Sequence, residues 1–439
     1  MSSNSYRGGP ASRCKSKKKK KKRGGAMKKM TTEQGAAFRS VTEWAFLGSQ
    51  SSFPSSVDAA ASFVVDEIGI QKSLGRGGQR LVFELHCHSK FSDGSLSPSK
   101  LVERAHSSGV KVLALTDHDT LEGIPQAVEA ARRFNIKIIP GVEISTIFTS
   151  RSEPLWEEPV HILAYYSSCG PSRYEDLDKL LSDIRKGRFF RARSMVEKLN
   201  KLKLPVKWES VARIAGEGVA PGRLHVALAM VEAGLVENQK QAFDRYLFDG
   251  GPAYSTGREP SSEETIQLVH DTGGVSVLAH PWVLKNPTTI IRSLKEAGLH
   301  GLEVYRSNGC LSAYSDLADT YDLLKLGGSD FHGRGHCESE LGSVNLPVIA
   351  LHAFLQVARP IWCGAIRGSL ESYANDPSDM NLARITRFGR IQAPKRGSDD
   401  ISREEDLIKC CMNSWLTVDE RQNVNIEAIQ SKYSLISIH

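Results

Sequence analysis

Leu81-Val82-Phe83-Glu84-Leu85-His86-Cys87-His88 is the stretch of sequence that decides the fold. A short, mainly apolar run precedes two histidines, and such a run is typical of a buried strand. Side chains two residues apart in a strand point to the same side, so both imidazoles would face one point at the end of the strand. We interpret this pair as the beginning of a metal site.

The same arrangement, an apolar run followed by polar residues, recurs along the chain. The predicted strands cover residues 81–88, 111–117, 137–145, 160–166, 274–280, 301–306 and 323–329. Amphipathic helical stretches lie between them, and their alternation with the strands predicts parallel strands covered by helices. Polar residues at the strand ends are typical of barrel enzymes, whose active site lies at the carboxyl ends of the strands.

Composition divides the chain into five predicted segments. These are a disordered basic tail (1–75), a first part of the barrel (80–171), a helical insertion (172–258), a second part of the barrel (259–350) and a C-terminal extension of unknown role (351–439). An insertion between two barrel strands would lie over the mouth of the site as a lid. The alternative is a helical side domain that only adds stability.

Charge and cysteine content narrow the class of protein. The chain has 439 residues and a net charge of +7, but residues 1–30 hold twelve Lys and Arg and no acid, which leaves +7 − 12 = −5 for the rest. The remainder is therefore not a basic nucleic-acid surface. The 8 cysteines form no CxxC pair, so neither a disulfide framework nor a zinc finger is indicated.

Location and partners are expectations from the same composition. No apolar run approaches the roughly 20 residues that cross a bilayer, and the N-terminus lacks the apolar core of a signal peptide. We expect a soluble intracellular protein in cytoplasm or nucleus, with no membrane partner; an organelle stays open as an alternative. The lysine block at 17–22 is either a solvated tail or a patch for RNA or an import receptor.

Nine residues of metal-ligating type stand at predicted strand ends. They are His86, His88, Asp93, His118, Glu143, His161, His280, Asp330 and His332. A single histidine there is more often structural, but nine are too many for one tetrahedral zinc and suit a cluster of two or three divalent ions. Mixed imidazole and carboxylate ligation favours Mn, Fe or Zn over Ca.

A cluster of this kind predicts phosphate ester hydrolysis by a metal-activated hydroxide. We assign the catalytic role to Asp93, His118 and Arg223. Arg223 and His225 lie in the predicted insertion, where a guanidinium would bind phosphate bidentately and the imidazole would assist; an ordinary salt bridge is the alternative for Arg223. Asp117 and Asp119 either cap the following helix or orient the imidazoles from outside.

The quoted motifs resemble those of the PHP (polymerase and histidinol phosphatase) family. They are Leu85-His86-Cys87-His88 with Asp93-Gly94, Leu115-Thr116-Asp117-His118-Asp119, Pro140-Gly141-Val142-Glu143, Leu278-Ala279-His280-Pro281 and Gly328-Ser329-Asp330-Phe331-His332-Gly333. The resemblance implies an α/β fold, a distorted (β/α)7 TIM-like barrel with a trinuclear metal centre. It also implies a first metal at His86, His88, Glu143 and Asp330, a second sharing Glu143 and adding His161 and His280, and a third at Asp93, His118 and His332.

Within that family one branch is most similar. Gly222-Arg223-Leu224-His225 and Gly251-Pro252-Ala253-Tyr254 resemble the branch that removes the 3′-phosphate from nucleoside 3′,5′-bisphosphates and, in bacteria, degrades short RNA from the 5′ end. The branch usually has proline where this chain has Leu224. The resemblance implies three divalent ions, Mn first with Zn, Fe or Mg as alternatives, and a nucleotide or short RNA as substrate.

Two other functions stay open at this point. One is a phosphatase for a small metabolite such as histidinol phosphate, which the same metal centre could serve. The other is a non-catalytic RNA-binding protein that uses the lysine block for affinity. The oligomeric state is not indicated by the sequence.

Overall fold

The fold is described from a computed structural model. It describes residues 28–29, 31–47, 63–65, 71–73, 81–151, 156–257, 259–334, 339–389 and 400–423. The strands are β1 (Lys28–Lys29), β2 (Phe63–Val65), β3 (Gln71–Ser73), β4 (Val82–Glu84), β5 (Val110–Leu115), β6 (Lys137–Thr149), β7 (Glu157–Tyr165), β8 (Val275–Leu278), β9 (Gly301–Glu303), β10 (Tyr305–Arg306), β11 (Gly309–Cys310) and β12 (Leu324–Leu326).

The helices account for most of the remaining described residues. They are α1 (Thr32–Ala45), α2 (Pro98–Ser107), α3 (Ile124–Ala131), α4 (Tyr174–Lys201), α5 (Trp208–Ala215), α6 (Arg223–Glu232), α7 (Gln239–Ala242), α8 (Ser262–Asp271), α9 (Pro287–Glu296), α10 (Ser312–Thr320), α11 (Val348–Asn375), α12 (Asp379–Thr386), α13 (Asp400–Trp415) and α14 (Val418–Asn423). Short single turns of other helix types follow α3, α7 and β8.

The central element is a curled sheet of seven strands in the order β12-β9-β8-β7-β6-β5-β4. Every predicted strand contributes to it. Four of the six strand pairs are parallel, but β7 runs antiparallel to both β6 and β8. The expectation of an all-parallel sheet was therefore wrong at β7, because residues 150–156 are too few for the crossover that a parallel connection requires.

The sheet is a half-barrel whose two edges approach each other at the carboxyl end. The backbone N–H of Asp330 donates to the carbonyl of His86 at 2.9 Å, and His88 N–H donates to Phe331 O at 2.9 Å. Among the described residues no strand ladder joins β4 to β12. The structure therefore confirms a mixed α/β fold with a curled, mostly parallel sheet of seven strands, but it does not confirm a closed (β/α)7 barrel.

The two faces of the sheet pack on different helices. One face packs on α2, α3 and the first half of α4, and further along on α8, α9 and α10. The opposite face packs on α1 and α11, which bury Trp44, Phe354 and Trp362 against the strands. Side chains of this second face also form the metal-ligand cluster at the carboxyl end, so α1 and α11 close the opposite end of the same face.

The helical insertion lies between β7 and β8 and has its own apolar core. Leu177, Leu181 and Ile184 of α4 pack with the sheet helices. The second half of α4, from Ala192 to Leu199, packs instead on α6 and the residues around α7. The insertion is therefore attached to the sheet through one continuous helix.

Helices α1 and α11 contribute to the folded core, although they lie in the segments expected to be a disordered tail and an extension of unknown role. Helix α1 falls inside the segment predicted to be disordered, yet it has a capping box at Thr31 and a fully buried Trp44. Helix α11 packs on the strands themselves. Residue patterns alone did not reveal these contacts, since both helices are stabilised by partners far away in sequence. The lysine block lies outside the described residues.

Helix α11 is also, within the described part of the chain, the helix that is long and apolar enough to span a bilayer by length and composition. It has 28 residues and contains Pro360. Its buried side chains, among them Leu351 and Trp362, belong to the same core cluster as the strands. This is the environment of a core helix, which passes the same test of length and composition.

Candidate metal centre

The predicted ligand side chains meet near the carboxyl ends of the parallel strands, and His161 joins them from the middle of the antiparallel strand β7. Glu143 of β6 lies at their centre. Its Oε1 lies 2.8 Å from His161 Nδ1 and 2.9 Å from His280 Nε2. Its Oε2 lies 3.2 to 3.3 Å from ring nitrogens of three further histidines, namely His86, His88 and His118. One buried carboxylate therefore contacts five imidazoles that come from four different parts of the chain.

Asp93 lies at one side of the cluster. Its Oδ1 is 3.2 Å from His332 Nε2 and 3.9 Å from His88 Nδ1, and its Oδ2 is 3.8 Å from His118 Nε2. Together these residues form one group of four ligand atoms that all lie within 4.8 Å of one another. Such spacing allows a single cation to contact the whole group.

Asp330 lies at the other side. Its Oδ1 is 3.1 Å from His88 Nε2 and 3.3 Å from His86 Nε2, while the two imidazole Nε2 atoms are 3.2 Å apart. With Glu143 these side chains form a second group, and His118, Glu143 and His161 form a third. The group around Asp93 contains the set expected for the third metal, and the group around Asp330 contains the set expected for the first metal. The third group differs, because it brings His118 to Glu143 and His161, and His280 joins through its own contact with Glu143.

The chemistry of these groups fits divalent cations. Three buried atoms, His88 Nδ1, His118 Nδ1 and Asp93 Oδ1, make no hydrogen bond, although buried polar atoms in proteins normally do. Imidazole nitrogens and carboxylate oxygens are the donors that Zn, Mn and Fe accept. Burial would raise the pKa of Glu143, yet the surrounding imidazoles, led by His118, hold it well below its usual range.

Glu303, at the end of β9, supports two of the ligands and was not singled out by the sequence analysis. His86 Nδ1 lies 3.1 Å from its Oε1, and the backbone N–H of His280 donates to its Oε2 at 2.8 Å. A proton on His86 Nδ1 leaves the Nε2 lone pair facing the cluster, which is how outer carboxylates orient metal-binding imidazoles. An acidic residue inside the predicted strand 301–306 was the available signal.

Glu84 joins the two edges of the sheet behind the cluster. It accepts hydrogen bonds from the backbone N–H groups of Ser329 at 2.8 Å and Gly342 at 2.9 Å, and from His86 N–H at 3.3 Å. Burial raises the pKa of this carboxyl. The residue thereby fixes the position of the strand end that carries His86 relative to the loop that carries Asp330.

Asp117 and Asp119 neither cap the next helix nor hydrogen-bond an imidazole within the described residues. Asp117 accepts from Ser89 N–H at 2.7 Å and from the Ser89 and Ser92 hydroxyls at 2.6 and 2.7 Å. Asp119 accepts from Ser145 N–H at 2.7 Å. Helix α3 begins at Ile124, and its N-cap residue, Gly123, provides no side-chain hydrogen bond. Both carboxylates instead hold the loops that follow the ligand-bearing strands.

Three residues at the site adopt a left-handed backbone. The φ angles are 56° at Asp119, 30° at His280 and 53° at Asp330. Non-glycine residues in this region cost on the order of 1–3 kcal/mol each and are concentrated at functional sites. The hydrogen bonds from the His280 N–H to the Glu303 carboxylate and from the Asp330 N–H to the His86 carbonyl hold two of these conformations in place.

The helical insertion borders the cluster through Arg188 of α4. Only 7 % of this residue is exposed. Its Nε lies 2.5 Å from Asp119 Oδ2, and its Nη2 donates to Ser145 Oγ at 2.6 Å. Burial is the main cause that lowers the pKa of His118, and the positive charge of Arg188 acts in the same direction. Arg188 was assigned no role from the sequence.

His225 and Arg223, the predicted phosphate-binding pair, lie in different environments, because His225 is buried and Arg223 forms an ion pair near the surface. His225 is 1 % exposed, and its Nδ1 accepts the Gly222 N–H at 2.9 Å. Burial lowers its pKa to about 4, so the ring is neutral at pH 7 and its proton lies on Nε2, which makes no hydrogen bond. Arg223 pairs with Asp249, and its guanidinium carbon lies 5.6 Å from the centre of the Tyr254 ring.

Comparison with known proteins gives a consistent result. The family model described as the PHP domain matches residues 84–218. A 5′-3′ exoribonuclease from Haemophilus influenzae is 34% identical over 261 residues, which cover 57% of this chain and 89% of the relative. A 3′,5′-nucleoside bisphosphate phosphatase from Chromobacterium violaceum is 31% identical over 287 residues, 64% of this chain and 94% of the relative.

Two solved structures also resemble this chain, each over more than half of its length. A protein from Bifidobacterium adolescentis, assigned as a metal-dependent phosphoesterase, aligns with a TM-score of 0.55 and 30% identity over 63% of this chain and 96% of its own. An amidohydrolase from Chromobacterium violaceum with bound sulfate aligns with a TM-score of 0.54 and 30% identity, over 60% of this chain and 90% of its own.

Proposed function

This chain belongs to the PHP family of metal-dependent phosphoesterases, and we propose that it removes the 3′-phosphate from nucleoside 3′,5′-bisphosphates and degrades short RNA from the 5′ end. The observation that carries the proposal is the convergence of nine imidazole and carboxylate side chains beside a helical insertion rich in arginine. Relatives named for these two activities, each covered over most of its length, support the choice of substrate.

We assign the metal-holding role to the nine predicted ligands and expect three divalent ions, with Mn²⁺ preferred over Zn, Fe or Mg. Bound there, divalent ions supply Lewis acidity and activate water for attack on phosphorus. Glu143 contacts imidazoles on both sides and is the residue suited to hold two ions together. Glu303 keeps His86 in the tautomer that such binding needs.

The residues of the insertion supply the recognition of phosphate in this proposal. His225 offers its Nε2–H as a donor to a phosphate oxygen, and Asp93 is close enough to raise the pKa of His225. We expect a phosphate bound by His225 to reach Asp93 and His118, to which we assign the catalytic role. Arg223 would exchange its ion pair with the exposed Asp249 for the second phosphate of the substrate, where a planar guanidinium binds two oxygens.

The test uses purified full-length protein with Mn²⁺ and adenosine 3′,5′-bisphosphate. We expect release of inorganic phosphate and accumulation of the 5′-monophosphate, both followed by chromatography. Glu143→Gln should reduce the rate by more than about 100-fold, because loss of a central ligand exceeds the effect of an outer-sphere change. Glu129→Gln, a surface change, is the matched control.

The same assay separates the other functions. A higher kcat/KM for histidinol phosphate than for the bisphosphate would favour the small-metabolite phosphatase. Absence of turnover with Mn, Zn, Fe and Mg alike would contradict the proposal and favour a binding protein. The presence of all nine ligand side chains gives the binding protein no support among the described residues.

A further inference from the structure

A groove of about 500 Å³ lies on the surface of the helical insertion. It runs between the middle of α4, the face of α5 and the loop that leads into α6. Its lining comprises Ser182, Arg185, Lys186, Phe189, Phe190, Trp208, Ala212, Gly216, Gly218, Val219, Ala220 and Pro221. None of the metal-centre residues lines it, so it is a separate surface feature.

Aromatic side chains are exposed in this groove. Phe190 is 70% exposed and Phe189 is 38% exposed. The ring of Phe189 packs edge-on against Trp208 at a centroid distance of 4.9 Å and against Phe190 at 6.2 Å. Large apolar side chains exposed together mark a binding surface, and exposed aromatic rings are the surfaces on which the bases of single-stranded nucleic acid stack.

The charge of the groove complements a phosphate backbone. Arg185 and Lys186 line it, and no acidic side chain does. The guanidinium of Arg193 lies 4.8 Å from the centre of the Trp208 ring and 5.2 Å from that of Phe189. Lys186 pairs with Asp183 at 2.9 Å, but both side chains are largely exposed, and such a pair is weak enough to exchange for a phosphate.

The groove adjoins the metal centre. Arg185 lines the groove, and its Nη1 donates to the carbonyl of Asp119 at 2.7 Å. Asp119 directly follows His118 in the cluster. At the other end of the groove, Pro221 leads into Gly222 and Arg223. A chain of nucleotides that leaves the metal centre past residues 118–119 would therefore meet the groove at Arg185.

We propose that this groove binds the nucleotides of single-stranded RNA that follow the 5′-terminal one. Their bases would stack on Phe190 and Trp208, and their phosphates would pair with Arg185, Lys186 and Arg193. The inference rests on the proposed function and extends it from mononucleotides to RNA. A nucleoside 3′,5′-bisphosphate carries no further nucleotides and does not reach the groove.

The test compares two substrates in the Phe190→Ala variant of the full chain with Mn²⁺. For a 5′-phosphorylated short oligoadenylate we expect KM to rise about 5- to 100-fold, the effect of losing one base stack, with kcat little changed. For adenosine 3′,5′-bisphosphate both constants should stay at the wild-type values. Phe190→Trp should restore the KM for the oligonucleotide, whereas Phe190→Leu, which is apolar but offers no ring, should not.

A second pair of variants examines the charge. Lys186→Ala should raise the KM for the oligonucleotide and reduce its dependence on salt, because phosphate contacts carry that dependence. Lys240→Ala is the matched control, since Lys240 is also an exposed lysine of the insertion, is paired with an aspartate and lies outside the groove. Equal effects of the two substitutions would contradict a specific role of the groove.

Direct binding of a fluorescein-labelled oligoadenylate keeps this inference separate from the proposed function. Wild-type protein that binds the oligonucleotide through Phe190 but hydrolyses neither substrate would overturn the proposed activity and retain the groove. Unchanged affinity in Phe190→Ala would overturn the groove and leave the activity standing. A dimer in light scattering that Phe190→Ala dissociates would show that a second copy of the chain, not RNA, covers this surface.

Discussion

Glu303 contacts two predicted metal ligands at once, the ring of His86 and the backbone of His280. The sequence analysis placed it on the correct strand but assigned it no role, because a carboxylate at a strand end gives the same signal whether it binds a metal or orients a neighbour. The convergence of His86 and His88 was predictable, since their spacing follows from the alternation of side chains in strands. That these side chains bind metal stays a prediction. The positions of Arg188 and Arg223 were not predictable, because partners on other elements determine them.

Glu303→Gln should weaken metal binding without unfolding the protein. The amide keeps the shape of the side chain and one acceptor oxygen for His86 Nδ1, but it loses the negative charge and the second acceptor that binds the His280 N–H. Outer-sphere changes of this type cost about 10- to 100-fold in metal affinity. Competition with a fluorescent chelator for Mn²⁺ measures the change.

Glu129→Gln serves as control, because Glu129 pairs only with the exposed Arg132 on the surface. Metal affinity of Glu303→Gln equal to that of this control would contradict the orienting role of Glu303.

At the scale of secondary structure, all seven strands of the sheet were predicted, and the direction of β7 was not. The pattern of apolar runs indicates that a strand exists, whereas the direction of the strand depends on the length of the segment that connects it to its neighbour. Only residues 150–156 separate β6 from β7, which suits a hairpin. Helix α1 was missed for a related reason, since its apolar face is stabilised by α11, more than three hundred residues away.

Arg223 stands at the first residue of α6, and its substitution by Ala tests whether this helix end recognises the second phosphate. Loss of a charged hydrogen bond should lower kcat/KM for adenosine 3′,5′-bisphosphate about 10- to 100-fold. The loss should be smaller for p-nitrophenyl phosphate, which has one phosphate. Steady-state kinetics with both substrates gives the ratio.

Arg213→Ala is the matched control, because Arg213 is another arginine of the insertion that pairs with an acidic residue, Glu232, and lies on the exposed surface. Equal losses on the two substrates in Arg223→Ala would remove the reason for assigning Arg223 to the second phosphate.

At the scale of the whole molecule, a buried lysine of the sheet forms hydrogen bonds with helices α1 and α13. Lys137 of β6 donates to the carbonyl of Trp44 at 2.7 Å and to that of Ser414 at 2.8 Å. Its Nζ lies 4.8 Å from the centre of the Trp44 ring. Trp44 in turn packs on Trp362 and Trp415. Composition identified the N-terminal charge but gave no sign that α1 and α13 meet at this lysine.

Lys137 should make stability depend on pH. Burial, aided by the charge of Arg359 and opposed by Glu420, lowers the pKa of Lys137 to about 7, whereas an unfolded lysine titrates near about 10.4. Between these values the unfolded chain binds the extra proton, so the free energy of unfolding rises with pH from about 7 towards 10. Below pH 7 both states are protonated, and the cost of burying the charge is fully present.

Lys137→Met should therefore have a smaller rise in unfolding free energy between pH 7 and 9 than the wild type, as urea denaturation measures. Lys240→Met, a change at an exposed lysine, should retain the wild-type slope. An identical slope in Lys137→Met and wild type would show that Lys137 keeps its charge in the folded protein.

Helix α4 has 28 residues and so extends over about 42 Å at 1.5 Å per residue. Its first half belongs to the core of the sheet and its second half to the core of the insertion. Because α4 is one continuous helix that packs in both cores, it offers no hinge about which the insertion could rotate. We therefore expect the insertion to keep its position relative to the sheet when substrate binds, so that the space beside the predicted ligands keeps its shape.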